Sequence, residues 1–122
     1  MKTIALSETT WEKLKRMREA EKLTSNYITT FQEFARTQKV NLILGSIALV
    51  TKIHKSTNSS LVVNRKGEIV HRYDKIYMYD VERSDLTFRE SDAIQPGSTI
   101  GFFELEGITM GVRICVDLRY PE

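Results

Sequence analysis

A chain of 122 residues, 41% hydrophobic and 28% charged, has the composition of one folded domain with material for a modest core. Eighteen Lys and Arg against 16 Asp and Glu leave a formal net charge of +2, too small to imply a nucleic-acid or acidic-membrane partner. No apolar run approaches the roughly 18 to 20 residues that span a bilayer, and Met1 to Leu6 lacks a secretory h-region, so the sequence predicts a cytosolic protein.

The segment from Thr9 to Glu12 offers a Thr-x-x-Glu capping box ahead of good helix formers, which predicts a first helix of about a dozen residues with Trp11, Leu14 and Met17 on a narrow seam. A second helix is expected from Ser25 as N-cap, with Ile28, Phe31, Phe34 and Ala35 on a firmly packed face. The apolar run Val40 to Leu44, closed by Gly45-Ser46, suits a strand buried on both faces, and Thr51 to Ser60 reads as a polar loop. Leu61 to Asn64 and Ile69-Val70 flank a Gly67 turn and predict a hairpin. Asp80 to Gly97 has neither periodicity and predicts a long ordered loop, the kind of segment that often carries function. A second hairpin is expected from Ile100 to Leu105 and Ile108 to Val116 around Glu106-Gly107, with Cys115 facing away from Ile108, Met110, Val112 and Ile114.

The single cysteine excludes an intramolecular disulfide, so Cys115 is a buried packing residue or a reactive thiol. Taken alone, a cysteine at a strand end is more often a small buried hydrophobe. His54, His71 and Cys115 have no metal-ligand spacing, and the two histidines read as ordinary surface or hairpin residues.

The string from Gly111 to Glu122, with Cys115 followed by Asp117-Leu118-Arg119-Tyr120-Pro121-Glu122, resembles the nucleophile motif of the nitrilase superfamily. Upstream, Asn58-Ser59-Ser60, the Gly67 turn and Tyr73-Asp74-Lys75-Ile76 resemble the block that carries the family's catalytic lysine, and Lys75 precedes Cys115 by the family's spacing of 40 positions. Thr87 to Ser91, leading to Pro96-Gly97, resembles the omega-amidase branch, in which a second glutamate precedes such a turn. For the third catalytic residue two alignments stand open. Leu6-Ser7-Glu8 resembles the glutamate segment, 67 positions before Lys75, although Ser7 replaces the usual proline; alternatively Met1 to Ser7 is the family's first strand and the glutamate-bearing strand is deleted.

The resemblance implies an α/β fold, a four-layer α-β-β-α sandwich, of which 1–122 would be the N-terminal part of a single domain, incomplete after the nucleophile motif. It also implies a hydrolase of small linear amides working through a cysteine thioester, homo-oligomeric in its full-length form, with no metal or organic cofactor. Cys115 would be the nucleophile, Glu8 the general base and Lys75 the oxyanion cation, with Glu90, Val116 and Arg119 supporting the site or the substrate. Two departures stand out: Val116 replaces a common tyrosine and Tyr77 a common histidine. Absent its second half, the chain is expected to expose sheet edges and an apolar face and to have little activity alone. A fragment of a working amidase, a truncated remnant and a non-catalytic association module are the three resulting readings.

Overall fold

The computed structural model describes residues 7–51 and 55–121, and within the first helix the side chains of Glu12, Lys15, Glu19 and residues 25–38. Among these, the chain begins with one helix, α1 (Ser7–Gln38), not two. No glycine or proline occurs between Ser7 and Gln38, and Ser25 does not break the helix. Instead the Thr29 hydroxyl donates to the Ser25 carbonyl at 2.9 Å, and Thr30 to Asn26 at 2.8 Å, the back-bonding by which such residues are accommodated inside a helix. The firm packing expected of the second half is only partly present: Ala35 is fully buried, but Phe31 and Phe34 remain 40% and 52% exposed. The Trp11, Leu14 and Met17 seam falls on side chains outside the described ones.

Among the described residues seven strands follow: β1 (Leu42–Val50), β2 (Ser56–Val63), β3 (Ile69–Asp74), β4 (Asp80–Arg83), β5 (Leu86–Arg89), β6 (Gly101–Leu105) and β7 (Ile108–Val112). The architecture is mixed α/β. Strands β1-β2-β3 form an antiparallel sheet with β2 in the centre, α1 lies against β1 and β2, and β4-β5 and β6-β7 are separate hairpins. Burial is concentrated on the central strand, where Thr57 and Ser59 to Val63 are buried together with Tyr73 of β3.

Two sequence expectations fail here. Strand β1 runs through Gly45-Ser46 by way of a register shift between Leu44 and Ile47, and as an outer strand it leaves Ile43 53% exposed, so it is not buried on both faces. The polar stretch before Leu61 is the first half of β2: its hydroxyls are satisfied locally, Ser60 on the Leu44 carbonyl and Ser59 on the Asp74 carboxylate. A polar strand can be central when each buried hydroxyl finds a partner.

Both predicted hairpins form. In β6-β7, Leu105 pairs with Ile108 and the linking Glu106 and Gly107 have φ of 52° and 81°, the positive pair that a two-residue hairpin turn requires. The second strand ends at Val112 rather than Val116 because Cys115 to Arg119 wind into a 3₁₀ turn. The expected loop from Asp80 to Gly97 is structured: β4 and β5 pair, a 3₁₀ turn covers Glu90–Asp92, and Gln95 N–H and Gly97 N–H return to the Ser56 and Lys75 carbonyls at 2.8 Å each.

Candidate active site

Lys75 follows directly after β3, where the sheet ends. Its N–H donates to the Asn58 carbonyl and its own carbonyl accepts from Gly97, so the backbone is pinned between β2 and the Pro96-Gly97 turn. That turn needs glycine: a Cβ on Gly97 would lie 2.3 Å from the Asp74 carbonyl oxygen. The Lys75 side chain is 3% exposed, and its ammonium donates to both Glu90 oxygens, at 2.9 and 2.6 Å. A buried ammonium in that position requires such a partner.

Glu90 also accepts from the Tyr79 N–H at 2.6 Å and bonds the Asn58 side chain. Burial by itself would raise its pKa; the bonds from Lys75, Tyr79 and Asn58 outweigh burial and hold the carboxyl below its ordinary range. Lys75 and Glu90, the lysine and the second glutamate singled out in the sequence, are therefore brought into direct contact.

Cys115 opens the 3₁₀ turn Cys115–Arg119 with φ of 52°, a left-handed conformation unusual for a side chain with a Cβ. It is free and exposed, which removes the buried-packing alternative. It borders an open depression of about 400 Å³ shared with Ile43, Ser60, Phe103 and residues of β7. Because the backbone turns at Cys115, the period-two alternation of β7 does not extend to it. Val116, next in the turn, is half-buried. Arg119 is exposed at the end of the same turn.

Two residues that sequence reasoning left without a role connect these parts. The Asp117 carboxylate is fully buried and accepts from the Tyr73 hydroxyl at 2.5 Å, the Tyr77 N–H at 2.8 Å and the Ile114 N–H at 3.2 Å. Burial, with the bond to Asp117, pushes the Tyr73 phenol far above its ordinary value, so it remains a donor. Tyr73 and Tyr77 flank Lys75, and both are bound to the residue two positions beyond Cys115. The Tyr77 ring also stacks on Tyr120 with centroids 3.7 Å apart. Both residues lay within the motif strings; the signal available was an acid beside the nucleophile and a tyrosine two residues before the lysine, on one face of a strand.

Glu8 lies in the first turn of α1, and its side chain is outside the described ones; of the alternative first strand, Met1 to Ser7, residues 1–6 are outside the described residues and Ser7 opens α1. His54 is likewise outside them. His71 stacks on Phe103 at 5.0 Å, and its buried Nε2 lacks a hydrogen-bond partner. Among the described residues no group of three or more His, Cys, Asp or Glu is placed to hold a metal, and no helix is long and apolar enough to cross a membrane.

The profile of the family described as "Carbon-nitrogen hydrolase" matches residues 6–122. The chain belongs to the carbon-nitrogen hydrolase family. Among characterised relatives, it is 36% identical over 94 residues to the deaminated glutathione amidase of Yersinia enterocolitica, an alignment covering 74% of this chain and 33% of that protein. It is 30% identical over 104 residues to the omega-amidase NIT2 of Homo sapiens, covering 84% of this chain and 37% of the relative. In fold it resembles the C. elegans NitFhit protein, with a TM-score of 0.78 at 23% identity over 89% of this chain and 27% of that one. Saccharomyces cerevisiae Nit3, a member of branch 10 of the nitrilase superfamily, gives 0.65 at 25% identity over 77% and 32%. The chain thus spans about a third of the length of the relatives it matches.

Proposed function

We propose that the protein built on this chain hydrolyses a small linear amide through a thioester on Cys115. The observation that carries this reading is the buried Lys75 ammonium, held by Glu90 on a segment that Asp117 binds to the Cys115 turn. In the proposed reaction Sγ of Cys115 attacks the amide carbonyl carbon while Glu8 takes the thiol proton and delivers it to the departing nitrogen, releasing ammonia. Glu8 then deprotonates a water that attacks the thioester, which restores the thiol and frees a carboxylate. The oxyanion of both tetrahedral intermediates would lie between the Lys75 ammonium and the Val116 N–H. Glu90 holds the Lys75 ammonium in place, and Arg119, exposed on the same turn as Cys115, offers a cation to an acidic substrate.

An omega-amide of a dicarboxylate-derived acid is the substrate class we favour, because omega-amidases of yeast, human and mouse and a 2-oxoglutaramate amidase of Bacillus subtilis are among the relatives. For an amidase of the same fold from Nesterenkonia sp. AN1, covalent addition of the acetamide moiety of fluoroacetamide at the active site cysteine supports the same chemistry. The test is intact-mass analysis after mixing with an omega-amide, alongside ammonia release. A transient acyl adduct located at Cys115 and lost in Cys115→Ala is expected; ammonia release undiminished in Cys115→Ala would overturn the assignment.

A second reading, an association module, draws on Phe102, Ile108 and Leu118, which are 63%, 60% and 76% exposed. It predicts concentration-dependent self-association with no adduct at Cys115, which the same mass measurement and sedimentation would separate from the hydrolase.

A further inference from the structure

We propose that Asp117 is the positioning residue of this site: by binding Tyr73, the Tyr77 N–H and the Ile114 N–H at once, it fixes the Cys115 turn against the segment that carries Lys75. This inference rests on the hydrolase reading above. The first support is the placement of the bonds. Asp117 is fully exposed to none of the solvent, and a carboxylate so buried is tolerated only when its oxygens are hydrogen-bonded. Its partners come from two segments far apart in the chain, 73–77 and 114, so every bond it makes either crosses between lysine and cysteine or closes the cysteine turn.

The second support is the backbone at Cys115. A non-glycine residue at φ of 52° is held in a left-handed conformation that a Cβ disfavours. The restraint is visible: the Asp117 N–H donates to the Ile114 carbonyl at 3.1 Å, and the Ile114 N–H donates back to the Asp117 carboxylate at 3.2 Å. These two bonds bracket Cys115 and prevent the turn from relaxing, which would swing Sγ to another direction.

The third support is the underlayer. The Tyr73 ring lies against Gly101, where a Cβ would come within 2.7 Å of it, so β3, the start of β6 and the Cys115 turn meet at one phenol. Lys75 stands in sequence between the two residues that Asp117 binds, so these bonds tie its segment to the Cys115 turn. Asp117 touches no reacting atom in this account; it acts through the placement of others.

The experiment is the rate of alkylation of Cys115 in the full chain with iodoacetamide, followed by mass spectrometry, on wild type, Lys75→Met, Asp117→Asn and Tyr73→Phe. Each protein is labelled at neutral pH, folded and in denaturant. In wild type the folded chain is expected to label faster than the denatured one, because a thiol held in one direction reacts faster than a free one. Removing a nearby carboxylate would by charge alone speed labelling. Loss of positioning does the opposite, so Asp117→Asn should slow labelling of the folded chain about tenfold and Tyr73→Phe about threefold, with the denatured rates unchanged.

Unchanged or faster folded-state labelling in Asp117→Asn, with only thermal stability reduced, overturns the inference; if that variant does not fold, an unchanged rate in Tyr73→Phe does so. Should Lys75→Met slow labelling while Asp117→Asn leaves it alone, this inference falls and the hydrolase reading stands. A folded wild-type rate equal to that of the denatured chain, unmoved by Lys75→Met, removes the hydrolase reading and this one with it.

Discussion

The Lys75-Glu90 pair and the Cys115 turn treat solvent in opposite ways. Around Lys75 the charges are buried, paired bidentately and tied to backbone on two sides, whereas Cys115 stands exposed on a strained turn beside an open depression. The difference follows from what each group would be asked to do. A stabilising cation is effective when it is fixed in advance and poorly hydrated; an attacking sulfur has to be reached by substrate. Hydrogen bonds hold the first region in place, and the second borrows its geometry through Asp117.

The sharpest way to break this contrast is Lys75→Ala. It strands Glu90 in a largely buried position, and a loss of about 3 to 5 kcal/mol is expected by denaturant unfolding. Amide hydrolysis in the full-length context should fall at least about a hundredfold. Unchanged hydrolysis would show that the buried cation has no part in the chemistry.

Next in size is Gly97→Ala. Its Cβ would meet the Asp74 backbone rather than a flexible side chain, so the turn that pins Lys75 must shift, at about 1 to 3 kcal/mol. Activity should decline with it even though the substitution touches neither the Lys75 side chain nor Cys115.

Acid titration sharpens the comparison from the electrostatic side. Because the folded state lowers the Glu90 pKa from a reference of 4.5, this carboxylate contributes stability that is complete above that value and is lost as pH falls through the lower folded one. Glu90→Gln should therefore flatten the acid limb of a stability-versus-pH curve. A limb of the same steepness in wild type and variant would mean that other carboxylates carry it.

The smallest effect is expected at the far end of β6-β7. There Glu106 accepts from Asn41 at 2.9 Å and pairs with Arg65, both exposed, so Glu106→Gln should change stability by less than about 1 kcal/mol. A larger loss would show that the hairpin depends on its tip and not on Gly101 against Tyr73.

How much of this could be read from residue order varies along the chain. The β2-β3 and β6-β7 hairpins are legible because Gly67 and Glu106-Gly107 carry the backbone signature of turns, and the spaced motif singles out Lys75 and Glu90, which the structure brings into contact. The merger of two expected helices into α1 was missed because Ser25 is as acceptable inside a helix as at its start when a neighbouring hydroxyl back-bonds to it. The first half of β2 reads as a loop because Thr57, Asn58, Ser59 and Ser60 look solvated; only the pairing partners, above all Asp74, make Thr57, Ser59 and Ser60 interior residues. Asp117 was invisible as an organiser for the same reason, since all that it binds outside its own turn comes from about 40 residues earlier in the chain.

The stretch from Asp80 to Gly97 is fastened at its base by Ser91 on Asp80 and by the returns of Gln95 and Gly97, while every residue of β5 is exposed. Glu90 is thus anchored below a tip that bears no load. The turn at Ser84-Asp85 is consequently the place to graft an epitope or a fluorescent reporter, where added residues would lengthen the hairpin outward and leave the carboxylate beneath it undisturbed.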